Sequence, residues 1–145
     1  MAITEVVIHG RGGQGAVTTS QLQAIAAFKD GKYSQGFPTF GVERSGTPVR
    51  SFVRISDKPI RIRSEVCSPD YAIVLDTSLM GAVDICGSVK KSIIVNCNKC
   101  ISVNKESYVV DATSIAIKTI GQPFVNIAMV GAFAKVTKLV SLKSI

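Results

Sequence analysis

Six residues near the N-terminus, Gly10-Arg11-Gly12-Gly13-Gln14-Gly15, limit what this chain can fold into more than any other stretch. Ahead of them, Ile3-Thr4-Glu5-Val6-Val7-Ile8 is rich in β-branched side chains and reads as a short buried strand. Behind them, from Ala16, the residues Val17, Leu22, Ile25, Ala26 and Phe28 fall near helical spacing, with Thr18, Thr19 and Ser20 as candidate caps. A strand that turns through glycines into a helix presents bare backbone N–H groups and the positive helix end to one spot. A phosphate or carboxylate fits there. The same glycines serve equally well to let helix and strand pack closely with nothing bound.

The corner also satisfies G-x-G-x-x-G, so a dinucleotide site is a further reading. That site wants an acidic residue at the end of the second strand to hold the ribose. Asp30 comes too early, in the turn Lys29-Asp30-Gly31-Lys32, and Glu43 comes late, in a loop. The missing acid counts against nicotinamide or flavin. A phosphate-contacting loop and a packing corner both stand.

Along the chain, Tyr33-Ser34-Gln35-Gly36-Phe37 reads as a second strand, and the stretch from Pro38 to Pro48 as a loop that holds aromatic residues and a Glu43-Arg44 pair. Val49 to Ile55 alternates, with Arg50, Phe52 and Arg54 on one face. After the turn Asp57-Lys58-Pro59, Ile60-Arg61-Ile62-Arg63 alternates again, which predicts a β-hairpin with a basic face. Tyr71–Asp76, Ser92–Asn96 and Tyr108–Asp111 read as strands. A short helix follows Asp76 to about Val83, one runs from Asp111 to Gly121, and a last one from about Asn126 through Lys138. Strands alternating with helices indicate an α/β fold: a mostly parallel sheet flanked by helices, with one antiparallel hairpin insertion. At 145 residues the chain suits one domain, 1–145.

Hydrophobic residues make up 46% of the chain and charged residues 19%, so it is globular. A mean hydropathy of +0.32 leaves room for apolar surface covered by a partner. No apolar run approaches the ~20 residues of a membrane span, and Met1-Ala2-Ile3-Thr4-Glu5 has no signal-peptide pattern. A cytoplasmic protein is the default expectation. The net charge of +7 gathers in Arg44, Arg50, Arg54, Lys58, Arg61 and Arg63, a surface suited to an acidic partner or a phosphate-bearing ligand. Nucleic acid is disfavoured: no recognition motif is present, and few aromatics interleave with the basic residues.

Cys67, Cys86, Cys97 and Cys100 are most simply free thiols. Cys97-Asn98-Lys99-Cys100 has a metal-like gap, but His9 is the chain's one histidine and lies in the first strand. Asp70, Asp76 and Asp111 sit at element ends, where capping explains them better than acid–base catalysis. Neither a nucleophile elbow nor a P-loop lysine occurs. The chain lacks the equipment of an independent catalyst.

Taken together, the glycine corner, Phe37-Pro38-Thr39-Phe40-Gly41-Val42-Glu43-Arg44-Ser45-Gly46-Thr47-Pro48-Val49 and Ser68-Pro69-Asp70-Tyr71-Ala72-Ile73-Val74-Leu75-Asp76 resemble, in order, the gamma subunit of 2-oxoacid:ferredoxin oxidoreductases. The resemblance is nearest to the pyruvate synthase branch, and Val130-Gly131-Ala132-Phe133 fits as well. It implies oxidative decarboxylation of a 2-oxoacid with coenzyme A to acyl-CoA, carbon dioxide and reduced ferredoxin. It places thiamine diphosphate between alpha and beta subunits and iron–sulfur clusters in beta and delta. The gamma chain then packs against alpha on the coenzyme A side, with no catalytic residue and no metal of its own. On this reading Gly12, Gly13, Gln14 and Gly15 supply donors to coenzyme A phosphates and Arg44 pairs with one of them. Phe40, Glu43, Arg44, Arg50 and Arg54 face sister chains. Gamma subunits usually continue beyond Leu142-Lys143-Ser144-Ile145, so a C-terminal extension is expected to be absent, truncated or carried elsewhere. The rival readings are a stand-alone dinucleotide-binding oxidoreductase and a non-catalytic scaffold.

Overall fold

The computed structural model describes residues 3–39, 46–82, 85–99, 103, 105–122 and 124–145. Phe40, Glu43, Arg44 and Cys100 of the sequence reading lie outside them, as does Val83 at the expected end of the short helix. In chain order the elements are β1 (Thr4–Arg11), α1 (Ala16–Lys29), β2 (Tyr33–Pro38), β3 (Pro48–Ser56), β4 (Tyr71–Val74) and α2 (Leu79–Ala82). Then follow β5 (Ser92–Asn96), β6 (Glu106–Val110), α3 (Ala112–Ile120) and α4 (Asn126–Thr137), with a closing 3₁₀ turn at Leu142–Ser144.

The strands form one six-stranded sheet in the order β2-β3-β1-β4-β5-β6. β1, β4, β5 and β6 pair in parallel, whereas β3 runs antiparallel to both β1 and β2. The fold is α/β, and the sheet is covered on both faces. Alternate side chains of a strand point to opposite sides. Val6, Ile8, Val53, Ile73 and Ile94 accordingly pack under α1 and α4 through Ala26, Ala27, Met129 and Phe133. Val7, Phe52, Ala72, Val74, Ile93 and Val95 pack on the other face under Leu79, Ile85 and Val89. This two-sided burial is why β4 and β5 read as continuous apolar runs. Among the described residues, no helix is long and apolar enough to cross a membrane.

The antiparallel hairpin exists, but its arms differ from those read in the sequence. β3 pairs with β2 in a ladder from Tyr33↔Ser56 to Pro38↔Ser51, and Ile60–Arg63 forms no strand. The basic face fails with it. Arg54 is 1% exposed: its Nε donates to Glu5 Oε2 at 2.8 Å, and its guanidinium also donates to the carbonyls of Ile62 and Ser64. The segment after Pro59 thus crosses the sheet face and closes over Arg54 instead of extending the ladder. An alternating arginine satisfied by a counter-ion and carbonyls belongs inside, so Arg54 has no surface to offer a partner.

The caps also differ. α1 starts from Gly15 at φ 81 with no side-chain cap, whereas Thr19 and Ser20 are buried and turn their hydroxyls back onto the carbonyls of Gly15 and Val17. α3 is capped as expected: the Asp111 carboxylate accepts from the Ser114 N–H at 3.1 Å. The buried face of α1 is small or polar, with Ala16, Thr19, Ser20, Gln23, Ala26 and Ala27, so helix and strand approach closely. At the closest point a Cβ added to Gly36 of β2 would lie 2.8 Å from the Ser20 carbonyl oxygen. Backbone does not yield there, so Gly36→Ala is expected to cost about 1–3 kcal/mol in urea unfolding. A loss within error of zero would show that α1 rides free of β2.

Candidate functional site

The order of the sheet marks where a ligand would meet it. From β1 the chain moves first to β2 and β3 on one side, then returns to β4, β5 and β6 on the other. The crevice at the carboxyl ends of β1 and β4 is the switch point at which open α/β sheets bind ligands. The glycine corner sits there.

Its hydrogen bonds are mostly spent on the corner itself. Gly12 donates to the Thr47 carbonyl at 2.8 Å and accepts from the Gly46 N–H at 3.1 Å, which ties the corner to the start of β3. Gln14 closes the turn. Its Oε1 accepts from the Arg11 N–H at 2.8 Å, and its Nε2 donates to Asp76 Oδ2 at 2.9 Å. Arg11 donates from Nε and Nη2 to Ser78 Oγ and from Nη1 to the Gly46 carbonyl, with Nε 3.6 Å from Asp76 Oδ2. Burial pushes the Asp76 carboxyl up, but the Ser78 and Gln14 bonds, with Arg11 nearby, outweigh it and hold the group below the usual carboxylate range. Asp76 is therefore an anionic post that orients Gln14 and Arg11. It is no proton donor at neutral pH.

Gly13 and Gly15 carry positive φ, 90 and 81, where glycine alone is unstrained. A Cβ on Gly15 would run into the amide of Asn126 at the start of α4, whose Nδ2 donates to the Gly15 carbonyl at 3.3 Å. Two clefts open beside the corner and share Gln14, Leu75, Asn96 and Thr113. One, of about 420 Å³, is bordered by Asp76, Cys97 and Asp111; the other, of about 360 Å³, by Gly13, Phe124 and Asn126. Asn96 stitches their floor, donating to the Leu75 carbonyl and Thr113 Oγ1 while accepting from the Ala112 and Thr113 N–H groups.

Of the sequence-derived site residues, the structure brings Gly12, Gly13, Gln14 and Gly15 together at one corner. It gives Gly12 and Gln14 internal partners, and leaves Gly13 exposed. Arg50 stands apart on β3, 47% exposed at its side chain. Arg11, Asn96 and Asn126 were missed; the signal for Arg11 was its place inside the glycine run itself. Cys67, Cys86 and Cys97 are free thiols. Among the described residues, no three His, Cys, Asp or Glu side chains gather to hold a metal.

Residues 5–145 match the family model of pyruvate ferredoxin/flavodoxin oxidoreductase. The chain belongs to that family. Family relatives include the pyruvate synthase subunit PorC of Methanothermobacter marburgensis, 51% identical over 144 residues, spanning 97% of this chain and 81% of that subunit. The pyruvate/ketoisovalerate oxidoreductases common subunit gamma of Thermococcus kodakarensis is 48% identical, covering 97% of this chain and 82% of its own. The crystal structure of the pyruvate oxidoreductase subunit PORC from Thermotoga maritima superposes with a TM-score of 0.84 at 35% identity, over 99% of this chain and 82% of that one.

One group near the corner titrates far from its ordinary value. His9 directly precedes Gly10 and is 7% exposed on the α2 side of the sheet. Burial, helped by the Arg50 charge, lowers its pKa from 6.5 to about 4. The unfolded chain takes up this proton near 6.5 and the folded chain only near 4. Stability is therefore complete above the unfolded value and falls as pH drops through that window, by about 1.4 kcal/mol per pH unit. His9→Gln is expected to flatten the fall in unfolding free energy between pH 6.5 and about 5, where carboxylates contribute little. An unchanged slope would place the titration elsewhere.

Proposed function

We propose that this chain is the gamma subunit of a multi-subunit, cytoplasmic 2-oxoacid:ferredoxin oxidoreductase that acts on pyruvate. The complex converts the 2-oxoacid and coenzyme A to acyl-CoA, carbon dioxide and reduced ferredoxin. The observation that carries this reading is the near-complete match to PorC and gamma subunits over 97% of the chain. Thiamine diphosphate and iron–sulfur clusters belong to the sister alpha, beta and delta chains.

Within the complex this chain supplies a rigid corner and a docking face. Gly13 and Gly15, with the uncapped first turn of α1, are the donors that remain to receive a phosphate of coenzyme A. Gly12, Gln14 and Arg11 hold that corner in shape from behind. Arg44 supplies a guanidinium that meets a phosphate bidentately, and Phe40 and Glu43 face the sister chains. Arg50 adds positive charge at the rim of the sheet.

A docking role is favoured by a separate observation. α3 and the start of α4 leave Ile115, Ile117, Ile120, Phe124 and Ile127 exposed, Phe124 by 63%. Such apolar surface is what a sister chain covers.

Both roles are testable in the assembled complex. Arg44→Ala is expected to raise KM for coenzyme A by about tenfold with kcat and assembly retained, the loss of one charge-assisted contact. An unchanged KM would remove Arg44 from ligand contact. Ile117→Asp with Phe124→Asp is expected to abolish co-purification with the sister chains while circular dichroism of the isolated chain stays the same. Intact co-purification would move the docking face elsewhere.

A further inference from the structure

A cavity of about 500 Å³ opens on the α2 side of the sheet, away from the glycine corner, lined by His9, Arg50, Glu65, Cys67, Pro69 and Ser88 among others. His9 and Arg50 are register partners on the antiparallel strands β1 and β3, so their side chains rise next to each other from the same face. His9 Nε2 is buried and bonds to no described group. A buried ring nitrogen without a partner is uncommon in a folded chain and asks what would satisfy it.

Arg50 is also under-used. Its guanidinium lies 5.7 Å from the Phe52 ring centroid and meets Glu65 only at 4.0 Å, which leaves N–H donors of its fork without a partner among the described residues. Ser88 spends its hydroxyl hydrogen on the Ile85 carbonyl at 3.2 Å and keeps oxygen lone pairs for another donor. Val7 and Val66 supply an apolar wall. The cavity therefore holds an oriented cation, an unsatisfied imidazole nitrogen and one loosely held carboxylate competing for the cation.

We propose that this cavity is a second ligand site, distinct from the coenzyme A corner, that takes the carboxylate or phosphate head of a small molecule between Arg50 and His9. The head bonds to the guanidinium fork and displaces Glu65, while an oxygen of the ligand accepts from the His9 ring.

Because His9 is the chain's one histidine, its ring resonances report on this cavity without ambiguity. Inorganic phosphate and acetate are titrated separately into the full-length chain at neutral pH. A saturable shift of the His9 ring signals with either anion is expected, and the arm that responds names the head group. Arg50→Ala weakens the response at least about tenfold, as loss of a charge-assisted pair does. Glu65→Gln strengthens it about threefold by freeing the guanidinium. The response persists in Arg44→Ala, which separates this site from the coenzyme A reading. No saturable shift with either anion up to about 50 mM, an unaltered response in Arg50→Ala, or a loss of response in Arg44→Ala would each overturn the proposal. Should Arg50→Ala fail to fold, Glu65→Gln decides alone: a weaker or unchanged response overturns it.

Discussion

The passage from β1 into α1 has to be made by backbone alone, and much else follows from that. Gly10 lies under Leu75, where an added Cβ would sit 3.2 Å from Leu75 Cδ1, and Gly15 lies under Asn126. A methyl group at Gly10 would force the Leu75 side chain aside by a few tenths of an ångström, and one at Gly15 would displace the Asn126 amide and strain a backbone at positive φ. Because no side chain intervenes, α1 and α4 close together over one half of the sheet, and the carboxyl ends of β1 and β4 meet at one crevice. The corner is built first as a joint. Only the groups left over from that task face outward.

That economy explains what was legible in the sequence. The strand–glycine–helix opening, the apolar runs of β4 and β5 and the Asp111 cap are local signals, and each is found where the residues indicate it. The hairpin was misread for a reason of range. Alternating arginines look solvated when nothing in the nearby sequence answers them. Arg54 is answered by Glu5, 49 positions away, and by carbonyls of the very segment read as its partner strand. Likewise Gln14 looks like a free donor until Asp76, 62 positions away, is seen to hold it. Tertiary partners decide whether a polar side chain is a tool or a brace.

The site shows the same division. Glycines announced a place where backbone donors converge, but not how few of them remain available after Thr47 and Gly46 bind Gly12. Arg11 was overlooked because it was counted as a spacer between glycines. It proves to be the residue that gathers Ser78, Gly46 and Asp76 around the turn. Among the described residues, Asn96 and Asp76 line the crevice as braces, each tied to its neighbours by hydrogen bonds.

The apolar faces of α3, α4 and the exposed Phe28 and Leu142 carry a cost before assembly. A newly made gamma chain must wait for its sisters with greasy surface in water, and two such chains would tend to stick to each other. The net charge of +7 opposes this, since like-charged molecules of this size repel over a Debye length of about 8 Å at physiological ionic strength. The basic surplus thus serves as a spacer between orphan copies. Added salt thins that cushion and so weakens the repulsion between unassembled copies.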